Sequence, residues 1–179
     1  KTGFLGQNKA CAHTIAVTSK TYDGQLGGVA GADRKCQELM GSKFGGTWKA
    51  IVSVQGGSAR RNLTIDASIS NTNGDKIADG GGDLWDGSLD SAVEYDEHGQ
   101  SHAGGNAVYI WTATQNSGAW DGYDENLDGE DCSGWNSNAA SDLGEVGRSD
   151  RRDGNWLIGA GPDGGNELSC SKKAALYCI

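Results

Sequence analysis

The residues best equipped for chemistry lie in one run, Asp121-Gly122-Tyr123-Asp124-Glu125-Asn126-Leu127-Asp128-Gly129-Glu130-Asp131. It holds six carboxylates and no lysine or arginine. Asp124, Asn126, Asp128 and Gly129 fit the opening of an EF-hand-type calcium loop, D-x-[DN]-x-[DN]-G. Alternation places three oxygen-bearing side chains around one point, and the glycine permits a sharp turn. The twelfth position is Trp135 rather than a bidentate glutamate, so a complete EF-hand is excluded. The expectation is a calcium ion held by Asp124, Asn126 and Asp128, a backbone carbonyl near Glu130, and a carboxylate from Asp121 or Asp131. Glu130 could itself supply that carboxylate. Hard oxygen donors of this kind suit calcium better than zinc.

A second acidic group, Asp79, Asp83, Asp86 and Asp90, has looser spacing and reads as a polar glycine loop anchored by Trp85. The three histidines, His13, His98 and His102, read as exposed polar residues. His98 and His102 are four apart, but Gly99 between them argues against a helical metal pair. No Gly-x-Ser-x-Gly elbow and no His-Glu-x-x-His motif occurs, so catalysis is not expected. Asn62-Leu63-Thr64 is a glycosylation sequon, meaningful only in a eukaryotic source. Of the six tryptophans, Trp48, Trp111 and Trp156 are assigned to the core. Trp120 and Trp85 are the expected ligand contacts, because an aromatic face stacks on a sugar ring at low entropic cost.

These residues need a frame to position them. Thirty glycines, one proline and a hydrophobic fraction of 36% point to many turns and little helix. Ala12 to Ser19 reads as a strand and Gly31 to Met40 as a short helix, with Cys36, Leu39 and Met40 on one face. Trp48 to Val54 and Val108 to Thr114 read as strands, and Ala174 to Cys178 as the last one. Between residues 115 and 169 only Asn155 to Ile158 suggests a strand. Loops this long are functional or disordered, and a loop holding Trp120, Trp135, Trp156 and two cysteines is not disordered. The chain divides into an N-terminal segment, 1–11, and a single domain, 12–179.

Five cysteines without a C-x2-C pair favour disulfides over zinc, and so an oxidising compartment. The start, Lys1-Thr2-Gly3-Phe4, has no signal peptide, and no apolar run approaches eighteen residues. The chain therefore reads as mature or trimmed, with no membrane insertion. The formal charge of −9, with no basic face beyond the short pairs Arg60-Arg61, Arg151-Arg152 and Lys172-Lys173, argues against nucleic acid as a partner.

In chain order these segments resemble the C-type lectin-like fold. They look more closely similar to a bacterial extracellular domain family of unknown function, distantly endostatin-like. The segments carrying the resemblance begin with Tyr22-Asp23-Gly24, Ala30-Gly31-Ala32-Asp33 with Cys36, and Trp48-Lys49-Ala50. They continue with Leu84-Trp85-Asp86-Gly87 and Val108 to Thr114, and end with Cys132-Ser133-Gly134-Trp135, Trp156, Cys170 and Leu176-Tyr177-Cys178. The resemblance implies an α+β architecture of small antiparallel sheets, one or two short helices and long disulfide-clipped loops, with the first and last strands paired. It implies extracellular or cell-surface use. It does not name a ligand, since this fold hosts unrelated functions. The Glu-Pro-Asn and Trp-Asn-Asp elements of calcium-dependent sugar-binding lectins are missing: the one proline is Pro162, and Leu157 follows Trp156.

The expected disulfides are Cys36–Cys178, stapling helix to last strand, and Cys132–Cys170, closing the long loop, with Cys11 left unpaired. The functional expectation is a non-catalytic binding or adhesion module that takes a glycan or protein ligand at residues 79–90 and 115–165. The alternative is a self-assembling structural subunit, with Cys11 and the segment Lys1 to Lys9 available for interchain attachment.

Overall fold

The structure is a computed structural model that describes residues 12–120, 130–159, 161–162 and 164–179. The segment 1–11 with Cys11, and the run Asp121 to Gly129 with Asp121, Asp124, Asn126 and Asp128, lie outside the described residues.

The strands among the described residues are β1 (His13–Val17), β2 (Ile69–Asn71), β3 (Lys76–Ala78), β4 (Tyr109–Trp111), β5 (Leu143–Arg148), β6 (Glu167–Ser169) and β7 (Tyr177–Cys178). One sheet has the order β3-β2-β1-β7 and the other β4-β5-β6. The β1–β7 pair is antiparallel, with Ala16 opposite Cys178. The β1–β2 pair is parallel, which departs from the all-antiparallel expectation. Parallel neighbours need a crossover, and the long excursion from Val17 to Ile69, which includes the helix, supplies it. The sheets meet where the Ala175 carbonyl accepts from the Trp111 amide (3.0 Å) and the Ala175 amide donates to Tyr109 (2.9 Å).

Two apolar clusters fill the interior. One gathers Trp48, Trp111, Trp135, Met40 and the four disulfide cysteines. The other gathers Ile15, Ile51, Trp85, Trp156 and Tyr177. Trp156 lies 6.3 Å from the Trp85 ring and 5.4 Å from that of Tyr177. Trp48, Trp111 and Trp156 are all buried.

The helix α1 runs Gly28–Cys36, earlier than the glycine at 31 suggests, and opens into a π turn over Gln37–Gly41. Gly31 is no start signal: a Cβ there would collide with the Leu26 carbonyl, so glycine serves close packing inside the first turn. The segment Trp48 to Val54 is extended but makes only isolated bridges. Its Lys49 and Ile51 amides donate to the Ile179 and Tyr177 carbonyls, whereas the Ala50 amide is taken by the Asp33 carboxylate (2.9 Å). The expected strand at Asn155 to Ile158 is instead a 3-10 turn, Gly154–Trp156, capped by Asp153. The strands of this region are instead β5, whose glycines hide the strand pattern in the sequence, and the three-residue β6. Gly147 in β5 is required, because a Cβ would strike the Trp156 carbonyl.

Candidate functional site

The two disulfides are Cys36–Cys178, tying α1 to β7 across 142 residues, and Cys132–Cys170, across 38. The second anchors an unusual stretch of backbone. Cys132, Ser133, Gly134 and Trp135 form a left-handed turn, with φ of 52°, 56°, 68° and 62°. Cys132, Ser133 and Trp135, with Ala113 (φ 42°), are the only non-glycine residues at positive φ among the described residues. For residues with a Cβ this conformation costs roughly 1–2 kcal/mol each, and such strain persists only where the surroundings over-determine it.

The surroundings do so here. The Asp131 carboxylate accepts from the Gly134 amide (2.7 Å) and from the Gln55 amide (3.1 Å). The Trp135 amide donates to the Asp131 carbonyl (2.6 Å), and its indole N–H donates to the Ser53 carbonyl (2.8 Å). Gly24 and Gly144 lie so close to the Cys132 sulfur that a Cβ on either would collide with it.

This turn closes the acidic run from its C-terminal side. Asp131, expected as a metal ligand, is buried with both oxygens on backbone amides, so its role is to cap the turn. The Glu130 carbonyl, near which a calcium ligand was expected, accepts from the Glu145 amide (2.7 Å). Glu145 on β5 is only 1% exposed, and its carbonyl accepts from the Thr112 amide (3.1 Å). The buried residue Glu145 thus meets the root of the acidic run through its backbone. Sequence reasoning missed it because β5 itself was not legible.

On the other side of the run, Gln115 to Ala119 forms a tight turn, with the Gln115 amide donating to Ala119 (2.9 Å). Gly118 is needed there: its φ is 77°, and a Cβ would press on Arg60 and the Trp85 ring. Trp120, the expected contact residue, is half-buried and packs against the cluster holding Trp111 and Trp135. Its indole N–H is buried without an acceptor among the described residues. Trp85 is 7% exposed and stacked on Trp156, so its ring belongs to the core and presents no face to a ligand.

The second acidic group is partly offset from within. The Lys76 ammonium lies 2.8 Å from Asp90 and 2.9 Å from Asp79. Asp90 first, then Asp79, raise its pKa well above the ordinary lysine value. Asp83 accepts from the Asp79 amide (2.7 Å), and Asp86 from the Ser88 amide (2.9 Å).

Two of the three histidines depart from the expectation of exposed polar residues. His13 pairs with Asp66 (2.9 Å), and His102, 17% exposed at its side chain, pairs with Asp96 (3.1 Å). His98 is exposed and 3.5 Å from Glu97. Glu97 is buried and also accepts from the Ser19 hydroxyl and amide. Here the carboxylate lies between serine and histidine, so the hydroxyl has no imidazole base. No group of three histidine, cysteine or acidic residues converges as a metal site among the described residues.

The architecture is therefore a mixed α+β domain of small sheets and few short helices, held by two disulfides. Residues 19–79, about a third of the chain, match the model of a family described as "Protein of unknown function (DUF1554)". No curated protein matches the chain. No helix among the described residues is long and apolar enough to cross a membrane.

Proposed function

We propose that this chain is an extracellular, non-catalytic binding or adhesion module of C-type lectin-like fold, which takes a glycan or protein ligand at its loop end. The observation that carries the reading is the left-handed turn Cys132–Trp135, held in strain by a disulfide, a buried cap and an indole hydrogen bond. Strained backbone so heavily braced is a feature of ligand clamps. The fold reading is supported by the paired first and last strands and by the helix-to-last-strand disulfide. Two disulfides suit an oxidising compartment.

Calcium belongs to the same proposal. Asp124, Asn126 and Asp128 supply the alternating oxygens, with Glu130 and the buried Glu145 at the root of the run. Asp121, or Asp131 beside the two amides its carboxylate already accepts, adds the further carboxylate. The ion would fix the shape of the loop rather than react.

The test is capture on a glycan array and on whole cells, with calcium or chelator present. Loss of capture in chelator and in the Asp124→Asn, Asp128→Asn double variant supports the reading. Trp120→Phe keeps the packing while altering the ring face, and should weaken capture with little change in melting temperature. Capture indifferent to all three, or turnover of a presented ligand, overturns it.

A further inference from the structure

The end of the molecule that carries the acidic run holds a third turn. Val54 and Gly57 exchange two backbone bonds of 2.8 Å each, closing the turn Val54-Gln55-Gly56-Gly57. Its Gln55 amide sits on the Asp131 carboxylate, which also takes the Gly134 amide. Just before the turn, the Ser53 carbonyl accepts from the Trp135 indole (2.8 Å). The Ser53 hydroxyl oxygen accepts from the Ala59 amide and from the Thr114 hydroxyl (2.9 Å each). Just after it, the Arg60 amide donates to the Gly118 carbonyl (3.0 Å). The turns at 54–57, 115–119 and 132–135 are thus bonded into one platform that borders the acidic run on both sides. A surface whose backbone is fixed in advance loses little entropy when it binds.

The side chains on the platform set its chemistry. Gln55, Ser117 and Ser133 are exposed, and all three are polar. Phe44 and Leu143, the exposed large hydrophobic residues among those described, belong to other segments. Protein interfaces are centred on aromatic and apolar anchors, so this surface suits a polar ligand instead. The three turns hold no lysine or arginine. Arg60 supplies the cation. It is exposed, its Nη1 donates to the Ser117 carbonyl (3.5 Å), and it forms no ion pair among the described residues. A guanidinium held at one corner keeps parallel N–H donors that match a carboxylate by two bonds at once.

We propose, resting on the binding role proposed above, that Arg60 and Gln55 read an acidic sugar, a uronate or a sialate, at this platform. Arg60 takes the sugar carboxylate, and Gln55 takes a neighbouring hydroxyl or amide of the same sugar. The six carboxylates between residues 121 and 131 repel a polyanion such as a sulfated polymer or nucleic acid. A single carboxylate is accepted because Arg60 offsets that repulsion where the sugar sits. The charge on the sugar therefore decides which glycan is captured.

The probes are polymers bearing glucuronate or N-acetylneuraminate, each beside its carboxyl-reduced counterpart and spotted with neutral glycans on one array. The unaltered chain should capture an acid-bearing probe at least about tenfold better than its reduced form, the scale of one charge-assisted hydrogen bond. Which acid is captured identifies the sugar. Arg60→Gln should bring that ratio below about twofold with an unchanged melting curve, because the backbone bond to Gly118 stays. Arg61→Gln removes the same charge one position on and should keep the ratio. Titrated into isotope-labelled protein, the captured acid sugar should shift the Gln55 side-chain amide and the Arg60 Nε–H. Equal capture of acid and reduced probes, equal loss in the two arginine variants, or shifts that map elsewhere would each overturn the proposal. Chelator-sensitive capture of neutral glycans or of cells, without the acid preference, overturns the acidic ligand and leaves the binding module standing. Capture of nothing overturns both.

Discussion

The molecule has two acidic regions of similar composition and opposite character. Between residues 79 and 90, carboxylates are settled locally: Lys76 bridges Asp79 and Asp90, and Asp83 and Asp86 accept backbone amides in short turns. Between residues 121 and 131 no basic side chain is present. That run instead emerges from a tight turn at Gln115–Ala119 and closes on a strained left-handed turn that a disulfide braces. Acidic composition alone therefore says little. What separates a solvated loop from a candidate site is whether the neighbouring strand brings a cation and whether the backbone nearby is held in an unfavourable conformation.

The sharpest way to break this comparison is to release the brace. Replacing Cys132 and Cys170 together by serine removes closure of the 38-residue loop. The chain-entropy model gives about 4 kcal/mol as an upper figure, visible as a large fall in melting temperature. Proteolysis should then cut first within 115–145 while the four-stranded sheet persists; uniform cleavage would show the two regions to be one cooperative unit.

Calcium should discriminate next. At a hundredfold excess over its dissociation constant, a ligand of the folded state adds about 2.7 kcal/mol. Melting curves should rise with millimolar calcium and return in chelator, and the Asp124→Asn, Asp128→Asn variant should not respond. Coincident curves for the unaltered chain would remove calcium from the proposal.

A comparable loss comes from Asp131→Ala. Its two amide partners, Gly134 and Gln55, would be stranded in a buried site, at a cost of about 2 kcal/mol. Asp83→Ala, which strands only the amide of exposed Asp79, should cost less than half of that by denaturant melts. Near-equal losses would dissolve the distinction between the two regions. In the opposite direction, Lys76→Gln removes the internal cation and should make the first region newly responsive to calcium in the double-variant background.

The smallest effect concerns pH. Burial alone would raise the Asp96 pKa, but the Gln100 amide, the His102 ring and the His98 amide together hold it below the ordinary value. Its contribution to stability is therefore complete above the unfolded value, near 3.9, and is lost as pH falls through the lower folded value. Asp96→Asn should be less stable at neutral pH yet flatter in its response below pH 4, measured by denaturant midpoint against pH.

Much of the frame was legible. β1, β4 and β7 carry β-branched and aromatic residues in short runs, and Cys36, Met40 and the core tryptophans occupy positions that apolar periodicity marks. β5 and β6 were not legible. Leu143-Gly-Glu-Val-Gly-Arg148 has two glycines and a glutamate where a strand pattern wants bulk, yet those glycines are what let Cys132 and Trp156 pack against it. Trp120 and Trp85 show the same limit. Flanking glycines and aspartates mark them as loop residues, but loop residence does not decide which way a ring turns.

The sequence by itself determined the class of molecule, a glycine-rich α+β domain with disulfides, and the location of its acidic run, because composition and local spacing are properties of the chain. Only the tertiary structure decided that Lys76 bridges Asp79 and Asp90, that Asp131 caps the left-handed turn, and that Glu145 is buried on the strand beside the other run. Those facts arise from pairings between residues tens of positions apart, and no local propensity encodes the register in which distant segments meet.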